Sequence, residues 1–352
     1  MMKRLLLAGG TATTRPAHIA QRRLSVGAAF AGLVGGAALA AAPSYHVIDR
    51  IAGPDGGWDY VAVDGKTNHA FVARGPNIMS VDLATKAVNA TFYKGAGTHA
   101  ALPIDGGDHV LITNGQANTA VIVDAATGAA LATIPTGKGP DAATFDAATG
   151  LILVMDHAGG DITLIDPKTQ KAAATIAVGG QLEAAAVDGT GKAYVNVEDL
   201  AQIAVIDIKA AKVLARYPLK GCEGPTGIAY APADKLLITT CDGVAQVIAP
   251  ATGKLVASIK IGDGADGVVF DPSRKLAFAS AGESGTLSVI SIANGTAQLV
   301  ETIPTQVSAR TIGLDQRTGR LYLPAAKFGP VPAGARRAPM IPGSFELLVV
   351  AR

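Results

Sequence analysis

The feature that most constrains this chain is a period. The stretch VIVDAATGAALATI, residues 121–134, returns as QVIAPATGKLVASI at 246–259 and more faintly as VISIANGTAQLVETI at 289–303. Gly128, Gly253 and Gly295 mark the same turn, three repeats and then one repeat apart at about 42 residues each. A turn aspartate keeps the same beat at Asp82, Asp124, Asp166 and Asp207. A second register precedes it at Asp64, Asp105, Asp146, Asp188, Asp271 and Asp315, each after a short apolar run such as YVAVD or GVVFD. One intervening repeat lacks this residue. A constant period of this length is the signature of a solenoid or a propeller, because each unit must bury its faces against its neighbours.

One unit, residues 140–176, reads PDAATFDAATGLILVMDHAGGDITLIDPKTQKAAATI. Its apolar runs AATF, LILVM, ITLI and AAATI alternate with turn sequences that begin in Asp and end near Gly. Such turns close tight reversals with a residue of positive φ. The runs are apolar almost throughout, the composition of sheets covered on both faces. Four short antiparallel strands per 42 residues, repeated around an axis, give an all-β fold: a seven-bladed β-propeller of four-stranded antiparallel blades. Six complete units begin near residues 60, 100, 142, 183, 227 and 267. The seventh, 310–350, lacks its outer strand. The segment YHVIDRIAG at 45–53 has the character of the missing piece, so the N-terminal strand is expected to close the last blade and leave no free edge.

The first forty residues stand apart. Residues 1–40 hold five Lys/Arg, no Asp or Glu, and the run LSVGAAFAGLVGGAALA ending in Ala-Leu-Ala. A basic start, an apolar middle and a small-x-small end read as a cleaved signal peptide, with a membrane anchor as the alternative. The domain organisation expected is therefore 1–40 signal and 41–352 a single propeller. Arg22-Arg23 adds a twin-arginine route to the general secretory one. Either delivers the protein to the periplasm or outside the cell, as a monomer with no transmembrane span after cleavage. Loss of this segment lowers Lys plus Arg from 30 to 25 against 28 Asp plus Glu, so the net charge moves from +2 to −3. A weakly acidic surface disfavours nucleic acid as a partner. In an exported chain the two cysteines, Cys222 and Cys241, are expected to form a disulfide; both fall at the same end of one blade.

The repeat sequences also carry a resemblance. The runs HVLITNGQANTAVIVDAATG and GKAYVNVEDLAQIAVIDIKAAKVLARY resemble the forty-residue YVTN β-propeller repeats of YncE-like exported bacterial proteins. It extends over nearly all of 45–352, and GCEGPTGIAY, TTCDGVAQVIAPATGK and the closing MIPGSFELLVV are its most specific parts. The tetrad itself is degenerate here: FVAR, LITN, YVNV, LITT. The resemblance implies a periplasmic or secreted propeller and carries no agreed chemistry.

Strand order separates two faces. The Asp-rich turns lie at the bottom, as turn formers. At the top, five residues before the turn Asp of each blade, stand Asp59, Ala100, Asp141, Glu183, Thr226, Asp266 and Arg310. Innermost strands line the central channel, so four carboxylates and one guanidinium are expected to face one another across its mouth. The neighbouring column adds Trp58 and His99, and the loops after the second strands add Asn114 and His157. These nine, Trp58, Asp59, His99, Asn114, Asp141, His157, Glu183, Asp266 and Arg310, are the candidate ligand-binding set. Asp59, Asp141, Glu183 and Asp266 are the candidate metal ligands, suited by their oxygens to a hard cation such as Ca²⁺. A solvated acidic mouth with Arg310 paired to a neighbour is the alternative. The Pro- and Gly-rich segment FGPVPAGARRAPMIPG at 328–343 should hang beside the mouth as a loop.

No Walker loop, dinucleotide fingerprint, nucleophile elbow or haem-attachment motif is present, and one Trp excludes the Trp-rich quinoprotein blades. No catalytic set is assembled and no cofactor is demanded. The expectation is a scaffold that binds a small ligand or an envelope protein through the channel mouth. A Ca²⁺-dependent, lactonase-like hydrolase using the same carboxylates is the alternative.

Overall fold

The computed structural model describes residues 44–352 apart from 333, 335 and 336. The expected signal segment lies outside the described residues. Among those described, no helix is long and apolar enough to cross a membrane.

The chain opens with β1 (His46–Ala52) and continues through β2 (Val61–Asp64), β3 (His69–Ala73), β4 (Gly75–Asp82), β5 (Val88–Ile104), β6 (His109–Asn114), β7 (Thr119–Asp124) and β8 (Ala130–Pro135). Next come β9 (Pro140–Asp146), β10 (Leu151–Asp156), β11 (Asp161–Asp166) and β12 (Lys171–Ala177), then β13 (Leu182–Val187), β14 (Lys192–Val197), β15 (Gln202–Asp207) and β16 (Lys212–Pro218). Two more quartets follow: β17 (Ile228–Ala231), β18 (Leu236–Cys241), β19 (Val244–Ala249) and β20 (Lys254–Lys260), then β21 (Ala265–Asp271), β22 (Leu276–Ala281), β23 (Thr286–Ala293) and β24 (Thr296–Pro304). The chain ends in β25 (Gly313–Asp315), β26 (Arg320–Ala325) and β27 (Glu346–Ala351).

These strands form antiparallel blades in a propeller arrangement. Four blades are consecutive quartets, and a fifth has the order β1-β27-β26-β25. The N-terminal strand pairs with the C-terminal one, Arg50 opposite Leu348, so the two chain ends share a blade and cover its edge.

The expectation of seven separate four-stranded blades is corrected here: the structure has five, and β2 to β8 form one seven-stranded sheet. The cause is β5. Elsewhere the chain leaves the sheet at segments such as TGKG (136–139) before entering the next inner strand. Within β5 the segment KGAGTHA keeps its sheet pairing through a left-handed Gly97 (φ 64°), bonding β4 through residues 88–98 and β6 through 98–104. Gly95 permits this, since a Cβ there would lie 2.3 Å from Thr98 Cγ2 and 2.4 Å from Asn114 Oδ1.

Burial follows strand position. Central strands such as β10 and β18 are buried residue after residue, because neighbouring sheets cover both faces. The outermost strands differ from the uniformly apolar reading: β16 alternates exposed and half-buried along its whole length. Each outer strand pairs with a register shift near its start, at Ile122/Val123, Leu164/Ile165, Val205/Ile206, Val247/Ile248 and Val289/Ile290. A bulge at that place adds local twist at the rim. The bottom aspartates act as turn formers: Asp271 accepts the Ser273 amide at 2.9 Å, its hydroxyl at 2.6 Å and Arg274 Nη1 at 2.7 Å. Asp105 departs from this pattern, sitting at φ 52° in a short 3-10 turn and contacting His109 Nδ1 at 3.0 Å.

Candidate functional site at the channel mouth

Inner strands succeed one another around the channel, β2 beside β5, then β9, β13, β17, β21 and β25, which returns to β2. The polar column therefore meets across the axis. Arg310 Nη1 donates to Asp266 Oδ2 at 2.8 Å, while its Nη2 reaches the Trp58 carbonyl at 2.8 Å and lies 3.9 Å from Asp59 Oδ1. Burial works against the Arg310 charge, but Asp266 and Asp59 outweigh it and hold the guanidinium protonated. Asp59 Oδ2 lies 2.7 Å from His99 Nδ1, and this hydrogen bond raises the imidazole pKa. His99 Nδ1 is 3.5 Å from Asp141 Oδ1, and that buried oxygen has no hydrogen-bond partner.

On the adjoining wall His157 Nδ1 lies 3.1 Å from Glu183 Oε1 and 3.1 Å from the Leu182 carbonyl. Burial, then the Asp59 carboxylate, pushes Asp141 up to about 6. Burial, with Asp141, Glu198 and Asp266 adding repulsion, pushes Glu183 up to about 9. Too many carboxylates share too little water for all to ionise.

Tyr60 is the residue that the sequence reading missed. Its hydroxyl crosses the channel to donate to Glu183 Oε2 at 3.3 Å. A signal was available: the column following the polar one reads Tyr60, Ala101, Ala142, Ala184, Gly227, Gly267 and Thr311. One aromatic among small residues has room to span an axis its neighbours leave open. Burial and the surrounding carboxylates raise its pKa well above the ordinary tyrosine value.

Other candidates land differently. Asn114 is buried and accepts the Ala96 amide at 3.1 Å, which anchors the β5 crossover and keeps it out of the mouth. Trp58 turns outward and packs on Phe345 and Phe328, with ring centroids 5.5 and 6.3 Å away. Beneath it, Arg74 stacks on Phe345 at 3.7 Å and donates to the carbonyls of Gly57, Pro54 and Gly56. This buried guanidinium, pulled down to about 10 by desolvation, pins the segment carrying Trp58. Cys222 and Cys241 are disulfide-bonded, with Cα atoms 5.3 Å apart.

The two ends of the 328–343 segment pair with each other: Phe328 bridges to Met340, and the Ile341 amide donates to the Lys327 carbonyl at 2.8 Å. Between it and the mouth opens a cleft of about 930 Å³. Trp58, Phe328, Met340 and Pro342 give it apolar walls, Asp266 and Arg310 lie in its lining, and Glu283 and Arg337 add charge.

No family model matches this chain, and no curated protein matches it. Solved structures do. A chain of Kuenenia stuttgartiensis hydrazine synthase aligns with a TM-score of 0.67 at 14% identity, over 84% of this chain and 97% of that one. A chain from a crystal structure of the mitotic checkpoint complex aligns with a TM-score of 0.71 at 12% identity, over 87% and 95%. This chain is a β-propeller. At such identities the likeness shows the fold alone. The resemblance to YVTN repeats is supported as far as the propeller and no further.

Proposed function

We propose that this protein is an exported β-propeller scaffold of the YVTN type that binds a small organic ligand in the top-face cleft. One observation carries the reading: the cleft combines an aromatic and aliphatic wall with the Arg310–Asp266 pair, at about 930 Å³. Ligand sites are commonly concave, largely apolar and furnished with a few fixed polar groups, at about 300–1,000 Å³. The ligand expected is an apolar body carrying one group that hydrogen-bonds to the ion pair. The disulfide is compatible with a periplasmic or secreted location.

Trp58 is the only tryptophan, so binding is read directly from its fluorescence. A compound that shifts both its emission and the melting temperature should do neither in Arg310→Met or Phe328→Ala. Binding unchanged in both variants refutes the reading. Capture of a protein partner through the exposed rim residues Val307, Phe328 and Val331, with no small-molecule response, supports the interaction form of the scaffold instead. The hydrolase reading is favoured by the same convergence of Asp59, Asp141 and Glu183. It requires turnover of a lactone or ester that stops on chelation, whereas a binding scaffold gives none.

A further inference from the structure

Across the mouth from the cleft, two imidazoles stand among the carboxylates. His99 Nδ1 faces Asp59 Oδ2 at 2.7 Å and Asp141 Oδ1 at 3.5 Å, and His157 Nδ1 faces Glu183 Oε1 at 3.1 Å. Asp59, His99 and Asp141 each offer a ligand atom within 4.8 Å of the others, and so do Asp141, His157 and Glu183. Asp141 belongs to both triads. Its Oδ1 is shut away from solvent without a hydrogen-bond donor, a cost that a cation would remove. The His99 ring fits with Nδ1 inward only because residue 115 is glycine. A Cβ on Gly115 would lie 2.8 Å from the ring's Cδ2 and Nε2.

We propose that the mouth holds two divalent transition-metal ions bridged by Asp141, one bound by Asp59 and His99 and the other by His157 and Glu183. Metal–ligand bonds of about 2.0–2.2 Å place neighbouring ligand atoms roughly 3.3 Å apart around a tetrahedral ion, close to the 3.5 Å between His99 and Asp141 and the 3.1 Å between His157 and Glu183. One imidazole in each triad selects zinc, manganese or a similar ion over Ca²⁺, which takes oxygen ligands. This revises the calcium expectation: Asp266, the fourth carboxylate, is engaged by Arg310 and leaves the ligand set. Each triad supplies three protein ligands and leaves a position open for water or substrate. The inference is separate from the cleft reading, because neither Trp58 nor Phe328 belongs to it.

The test is calorimetric titration of the chelator-stripped, untagged protein with Zn²⁺, with Co²⁺ absorption as a second readout. Two ions per chain are expected. His99→Ala and His157→Ala should each retain one, Asp141→Ala should weaken both at least tenfold, and His109→Ala should retain two. Ca²⁺ should bind at least tenfold more weakly than Zn²⁺. Circular dichroism checks that each variant is folded, and Asp141→Asn replaces Asp141→Ala if the latter is not. Absence of Zn²⁺ binding, a single ion, indifference to Asp141 or a preference for Ca²⁺ each overturns the proposal. Loss of metal binding with the Trp58 response intact leaves the cleft reading standing.

Discussion

Replacing Glu183 by Gln tests the electrostatics of the mouth. In the folded protein the Glu183 carboxyl is pushed from an ordinary 4.5 up to about 9, chiefly by burial. The folded state therefore keeps a proton that the unfolded chain releases. For a raised acid the stabilising contribution is complete below pH 4.5 and is lost as pH climbs towards 9. While only the folded form is protonated, the loss is about 1.4 kcal/mol per pH unit. From pH 5.5 to 7.5 the upper limit is about 2.7 kcal/mol; relaxation and water entry bring the expected loss to about 1–2 kcal/mol. The amide in Glu183→Gln cannot titrate, yet it keeps an acceptor for the Tyr60 hydroxyl. Asp141 titrates in both proteins and largely cancels in the comparison. Urea unfolding with chelator present, followed by circular dichroism at the two pH values, should show wild type losing about 1–2 kcal/mol relative to Glu183→Gln. A gap that stays within about 0.5 kcal/mol, or moves the other way, refutes a buried, protonated Glu183.

Two further perturbations address the scaffold. Replacing Cys222 and Cys241 together by Ala opens a loop whose ends are 19 residues apart and should cost about 3 kcal/mol, read as a lower urea midpoint; an unchanged midpoint contradicts this. A chain beginning at Gly53 lacks β1 and exposes the edge of β27, so it should aggregate or unfold at markedly lower urea. Full stability without β1 would show that ring closure does not depend on the shared blade.

Much of this was legible in the sequence because a repeat makes each position an internal comparison. The turn aspartates, the closing N-terminal strand and the polar column at the mouth all follow from the 42-residue period. The same averaging hid the exceptions. The continuous β5 depends on where Gly95 and Asn114 meet, a tertiary contact that no period encodes. Tyr60 was overlooked because only the polar column and the one before it were compared, although its length is what carries it across to Glu183. Asn114 occupies the expected end of its strand but spends its carbonyl on a crossover peculiar to that sheet. The imidazoles were legible as neighbours of the mouth; their pairing through Asp141 was not, since it depends on side-chain direction.

The central claim is that distant repeats bring Asp59, His99, Asp141, His157 and Glu183 together at one channel mouth. Diffraction from crystals soaked in Zn²⁺, recorded at the zinc absorption edge, tests it directly. The account predicts two anomalous peaks flanking Asp141, one beside His99 and one beside His157, with the Tyr60 hydroxyl directed at Glu183. Peaks confined to other surfaces, or these side chains turned away from the channel, would contradict it.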